Sequence, residues 1–250
     1  MSNKPLTVAH EAPDGGPTTL TTQVHDRIRA DIIRGDLKPG QKLKIAETTA
    51  RYEVGAIPVR EALSRLAMSG FVEVKEQRGF YVRAVSAAEL QDLTRVRVLM
   101  ESAALRESIE RGDTAWEGRV IGALHALSRL TPFDAAGSQK LDIPWERAHN
   151  EFHRQLLSAC QSPCLLKMTE DLRDQTTRYR HISVSASVTG TRDVAHEHEA
   201  IAQAAVSRKP DLAVALLNDH TVTSTRIALK EFQAGAKAPT RLEGEWLQTA

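Results

Sequence analysis

Val54-Gly55-Ala56-Ile57-Pro58-Val59-Arg60-Glu61-Ala62-Leu63-Ser64-Arg65-Leu66-Ala67-Met68 decides the fold of the N-terminal part of the chain. Proline is tolerated in the first turn of a helix, where its missing N–H has no partner to lose, so Pro58 marks a helix start. Val59, Leu63 and Leu66 then recur at helical spacing and form an apolar stripe, which leaves Arg60 and Arg65 facing outward.

Upstream, the segment from Thr21 or Thr22, either of which could cap a helix, carries Val24, Ile28 and Ile32 at helical spacing up to Gly35 and the Pro39-Gly40 turn. A short second helix is expected over Ile45 to Tyr52, and Glu53 to Ile57 makes a tight connection into the third. Helix, short turn, helix is the order of a helix-turn-helix, whose second helix enters the major groove of DNA. Downstream of Gly70, Phe71-Val72-Glu73-Val74 and Phe80-Tyr81-Val82 read as two strands around the polar turn Glu76-Gln77-Arg78-Gly79, a hairpin wing.

These residues together resemble the winged helix of the GntR family of bacterial transcription regulators. The resemblance covers residues 20–83. It is carried by Gly35-Asp36-Leu37-Lys38-Pro39-Gly40, Pro58-Val59-Arg60-Glu61-Ala62-Leu63, Leu66, Gly70 and Gly79-Phe80-Tyr81-Val82. It implies that Arg60 contacts DNA. Gly55, Ala56 and Ile57 stand where family members commonly carry Ser-Arg-Thr, which removes a candidate guanine contact and points to a different operator. Lys44, Arg78 and Gly79 complete the candidate DNA face, with the wing tip suited to phosphate or minor-groove contact.

The rest of the composition limits the alternatives. No run approaches the roughly 18 apolar residues of a membrane span. His10, Glu11 and Asp14 stand where a signal peptide would have its apolar core, so none is expected. Cys160 and Cys164 are too few for a disulfide framework and suggest a reducing cytoplasm. Aromatic residues make up only 4% of the chain, which argues against a stacking surface for single strands. A net charge of +1 neither demands nor excludes DNA, because binding needs a local basic face.

Residues 1–19 are expected to form a flexible arm, 84–88 a linker, 89–233 an all-helical domain and 234–250 a flexible tail. Ser86 and Glu89 have the spacing of a capping box, and Leu90, Leu93, Val96, Met100 and Ala104 form one helical face that also holds Arg97. Arg97 could pair with Glu101 one turn on, or point into a cavity to receive a carboxylate. A further helix is expected from Thr114 to Leu130, followed by a loop over Thr131 to Pro144.

Four histidines fall on apolar helix faces. His149 and His153 share a stripe with Trp145, Phe152, Leu156 and Cys160; His198 lies with Val194, Ile201 and Ala205; His220 lies with Ala213, Leu216, Leu217, Ser224 and Ile227. His196 is off its stripe. One divalent metal would satisfy four buried imidazoles together, and imidazole suits Zn or Ni. Residues 86 to about 232 in turn resemble the FCD ligand-binding domain of the FadR branch of the family, through Arg97 with Glu101, Phe152-His153, Glu197-His198-Glu199-Ala200-Ile201 and Ala213 through His220.

That resemblance implies His153, His198 and His220 as metal ligands. His149 stands where the family carries Asp or Asn, either as a fourth ligand or as a donor to the effector. Trp145, His149 and Phe152-His153, with the later Arg178-Tyr179-Arg180, resemble the carbon-starvation-induced, glutarate-responsive type and imply a dicarboxylate effector. Arg97, His149, Arg178 and Tyr179 are the candidate effector contacts.

The sequence thus reads as a homodimeric regulator of double-stranded operator DNA, a repressor released by a small carboxylate, with metal sensing as the alternative. A metal-dependent enzyme is the remote reading. In His149-Asn150-Glu151-Phe152-His153 the glutamate is one place late for His-Glu-x-x-His, and no general base shares the histidine face.

Overall fold

The computed structural model describes residues 19–133, 141–188 and 192–235; the expected arm at 1–19, save Thr19, and the expected tail at 234–250, save 234 and 235 at the end of the last helix, lie outside them. The N-terminal unit consists of α1 (Leu20–Ile33), β1 (Lys42–Leu43), α2 (Ile45–Tyr52), α3 (Ala56–Met68), β2 (Val72–Lys75) and β3 (Gly79–Val82). It is followed by α4 (Ala87–Arg111), α5 (Thr114–Ser128), α6 (Ile143–Leu157), α7 (Pro163–Val188), α8 (Val194–Val206) and α9 (Pro210–Gly235). The fold is therefore mostly helical: a winged helix-turn-helix, then a helical bundle in which α4, α7 and α9 pack on one another and α8 packs on α9.

The stripe Val59, Leu63 and Leu66 is fully buried against α1, whose Val24, Ile28 and Ile33 supply the facing surface. Thr19, rather than Thr21 or Thr22, caps α1, its hydroxyl accepting the Thr22 N–H at 3.2 Å. Beyond the expected hairpin, Lys42 and Leu43 pair antiparallel with Tyr81 and Phe80, giving a three-stranded sheet in the order β1-β3-β2. The wing turn places Gln77 and Gly79 at φ 56° and 89°, a region glycine enters without strain.

Three expectations for the helical part are corrected. First, α6 begins at Ile143 and takes Pro144 into its first turn, so the expected loop ends earlier, where Leu141 bridges to Phe133. Second, α4 starts at Ala87, inside the expected linker.

Third, the buried stripe of α4 is more polar than its apolar residues suggested, with Thr94, Glu101 and Ser108 buried and Val96 and Met100 only half-buried. Thr94 shares a 2.7 Å hydrogen bond with Thr225, and Glu101 accepts from Arg97 and Arg173, so two of these polar groups are buried with partners.

The two units meet closely. A Cβ on Gly70 would stand 3.0 Å from Cγ of Gln175 on α7, and Arg178 of α7 donates to the Ala84 carbonyl at 3.0 Å. Ser86 caps α4 by accepting the Glu89 N–H at 3.0 Å, but the capping box is only half made. Tyr179 Oη takes the Ser86 N–H, and Glu89 turns to Arg83, Arg178 and Tyr179.

Candidate functional site: a four-histidine centre beside an arginine-lined cavity

Two helical turns of α6 and one position each on α8 and α9 bring His149, His153, His198 and His220 together, with one ligand-capable atom from each lying within 4.8 Å of all the others. His149 and His153 are four residues apart on one helix, which stacks their side chains, with ring centroids 4.6 Å apart. His198 approaches His220 at 4.7 Å and His149 at 5.1 Å. All four are buried, and His149 Nδ1, His153 Nε2 and His198 Nε2 make no hydrogen bond within the protein.

Burial lowers the pKa of each imidazole below its ordinary value; neighbouring cations add to this, while Glu197 partly opposes it at His220. The rings are therefore neutral at pH 7, with lone pairs available for a cation. Unpartnered buried nitrogens normally cost about 1–3 kcal/mol each. Three of them converging, with a fourth imidazole held by a carboxylate, is the donor set of a divalent metal site, and the residues fit such an ion.

The carboxylate is Glu197, which accepts from His220 Nδ1 at 2.7 Å and from Nε and Nη2 of Arg192 at 2.7 and 2.6 Å. Burial alone would raise its pKa, but His220 and Arg192 outweigh that and bring it down to about 2. Ionised Glu197 fixes the proton on Nδ1 and leaves Nε2 of His220 for the centre.

His149, His153 and His220 line a cavity, whose walls also carry Arg97, Arg180, Arg192, Thr176 and Tyr179. Arg97 makes the expected pair with Glu101, its Nη2 holding both oxygens at 3.2 Å and its Nη1 holding Thr176 at 2.9 Å, and it also lines the cavity. Arg180 donates to Asn150 Oδ1 at 2.9 Å, and burial pushes its pKa down to about 10 in spite of Glu146.

Arg178 does not reach this cavity. It is two residues from Arg180, about 200° around the helix, and binds the Ala84 carbonyl and Glu89 at the junction with the wing. Tyr179 lines the cavity with its ring and sends its hydroxyl to Glu89. Arg180 and Arg192 line the cavity without being among the residues the sequence singles out as effector contacts. For Arg180 a signal existed: Arg173, Thr176 and Arg180 fall at i, i+3 and i+7, one face of α7.

At the other end of the molecule, Lys44, Gly55, Ala56, Ile57, Arg60, Arg78 and Gly79 are all exposed. Ile57 is 77% exposed at the start of α3, and Lys44 is paired with Glu47 at 2.6 Å.

A winged helix-turn-helix joined to a helical domain with a buried four-histidine cluster that could hold a metal points to a class, the DNA-binding transcription regulators. Residues 20–82 match the family described as bacterial regulatory proteins, gntR family, and residues 92–223 match the FCD domain. The chain is 34% identical over 225 residues to the uncharacterized HTH-type transcriptional regulator BphR of Paraburkholderia xenovorans, covering 90% of this chain and 91% of that one. It is 35% identical over 211 residues to the HTH-type transcriptional repressor GlaR of Escherichia coli, covering 83% and 94%.

Among solved structures, E. coli McbR/YncC shares the fold at a TM-score of 0.68 and 20% identity, over 86% of this chain and all of that one. The chain belongs to the GntR family, in its FCD-containing branch. Its relatives are transcription regulators, not enzymes. No helix of the described residues is long and apolar enough to cross a membrane.

Proposed function

We propose that this protein is a homodimeric repressor whose hold on operator DNA is set by a small carboxylate bound in the arginine-lined cavity, beside a divalent metal on His149, His153, His198 and His220. In this reading residues 20–83 bind the operator, 84–86 link, and the helical domain from Ala87 onward binds effector and metal. The observation that carries it is a cluster of four buried histidines, three with an unpartnered nitrogen, of which His149 and His153 line a cavity that also holds Arg97, Arg180 and Arg192.

The metal, Zn or Ni by the affinity of imidazole, would supply positive charge to the cavity. The protein's own contribution is orientation. Arg97 and Arg192, held in place by Glu101 and Glu197, put positive charge on the cavity wall, and Arg180 takes the effector role that the sequence gives Arg178. At the DNA, Arg60 and Ile57 of α3 face the major groove, Gly55 and Ala56 let the backbone come close, and Lys44, Arg78 and Gly79 meet the phosphates. GlaR, a named repressor, supports the direction of control.

The test is metal analysis of the purified protein with calorimetric titration of C4 to C6 dicarboxylates, before and after chelation. Metal-dependent binding of one acid is expected. Bound metal with no binding of any acid would favour metal sensing instead, and the absence of both would sink the proposal.

A further inference from the structure

Glu146 stands three residues before His149 on α6, with its side chain wholly shielded from solvent. Three groups from three helices converge on it. Arg29 of α1 donates to both carboxylate oxygens, Nη1 to Oε2 and Nη2 to Oε1, each at 3.3 Å. Arg180 of α7 donates to the same Oε1 at 3.3 Å, and Asn150 donates from one turn along α6. Arg29 also reaches Asp174 of α7 at 3.2 Å and lies over the Phe71 ring at 5.1 Å.

Arg29 thus fastens the winged helix to the helical domain, while Arg180 lines the cavity. One buried carboxylate stands between them. We propose that Glu146 is the coupling residue of this regulator: an anion that engages Arg180 from the cavity draws that guanidinium away from Glu146, and the carboxylate then belongs to Arg29. The inference rests on the reading of the cavity as an anion site.

The geometry supports an exchange of partners. The contacts of both arginines to Glu146 are longer than the 2.7–2.9 Å of an unshared charge-assisted hydrogen bond, as suits one acceptor divided between two cations. The two guanidiniums meet at a single oxygen and repel each other, so withdrawing one strengthens the hold of the other. An occupied cavity therefore presses α1 against α6 and α7 and fixes the winged helix in one position. A bistable contact of this kind is what an effector needs in order to bias a DNA-binding geometry.

The test is hydrogen exchange of α1 amides in the full-length protein. Arg180→Met, which leaves Glu146 to Arg29, is expected to slow exchange in 20–33 at least threefold. Arg29→Met is expected to speed it at least threefold, and the double variant to match Arg29→Met alone. Unchanged or faster exchange in Arg180→Met, or slowing that survives in the double variant, overturns the coupling. If Arg180→Met does not fold, the near-isosteric Glu146→Gln decides: exchange at the Arg29→Met level supports the coupling and a wild-type rate overturns it.

Succinate, glutarate and adipate form the second arm. An acid that binds by calorimetry is expected to slow α1 exchange in the wild type and not in Arg29→Met. Binding without that change overturns the coupling and leaves the carboxylate reading intact. No heat with any of the three overturns the carboxylate reading, and the arginine variants still decide the coupling.

Discussion

Glu197 on α8 holds Nδ1 of His220 on α9 at 2.7 Å, and the same carboxylate is clamped by Arg192. This pair fixes both the tautomer and the orientation of the ring, and partners of this type commonly govern metal affinity by about 10- to 100-fold. Glu197→Ala is expected to weaken zinc binding by about that factor, measured by competition with a chromophoric chelator, with helical circular dichroism unchanged. Wild-type zinc affinity would mean that His220 is not a ligand.

His149 occupies a position where a carboxylate would lower the charge of the centre. A unit charge about 6 Å away in a medium of effective dielectric ~20 is worth roughly 3 kcal/mol, less after screening. His149→Asp is therefore expected to keep the metal and to weaken dicarboxylate binding at least about tenfold, by calorimetry at fixed ionic strength. His149→Ala with unaltered metal content and acid affinity would remove His149 from both roles.

The parts legible in the sequence were those written in one helix's own period. Val59, Leu63 and Leu66 gave the recognition helix, and the four histidines announced themselves by lying on stripes that bury them. What escaped depended on pairing between distant segments. Lys42 and Leu43 are too short a strand to alternate, and their partners Tyr81 and Phe80 lie far along the chain. Glu89 has the spacing of a capping box, yet Arg83, Arg178 and Tyr179 compete for it more strongly than the Ser86 N–H does. Arg178 and Arg180 share one motif, and only the phase of α7 separates them, sending Arg178 to the junction with the wing and Arg180 to the cavity.

Arg60 and Lys44 separate two kinds of DNA contact. Arg60 is exposed on α3 and makes no ion pair among the described residues, whereas Lys44 is exposed beside α2 and paired with Glu47. Arg60→Ala is expected to abolish discrimination between a selected operator and random duplex while the oligomeric state by light scattering is kept. Lys44→Ala should weaken both duplexes alike and reduce the slope of log affinity against log salt by about one. Specific binding that survives Arg60→Ala would displace α3 from the major groove.

Asp31 ties α1 to α2 inside the DNA-binding unit. Its Oδ2 accepts from Tyr52 Oη at 2.7 Å and from Arg51 at 2.7 Å, and its Oδ1 accepts from Arg34 at 2.9 Å. Burial by itself would raise the pKa of this carboxyl, but the three hydrogen bonds outweigh it and hold it below the usual carboxylate value. The unfolded chain then binds the proton more readily than the folded one. The stabilisation is complete above the unfolded pKa, near pH 4, and is lost as pH falls through the lower folded value. Arg51 and Arg34 are partly exposed, which limits the contribution, so Asp31→Asn is expected to cost about 1–2 kcal/mol at pH 7. In urea melts from pH 7 to pH 3 the gap to wild type should narrow only below about pH 4; a gap that stays constant across that range would mean that Asp31 acts through shape and not charge.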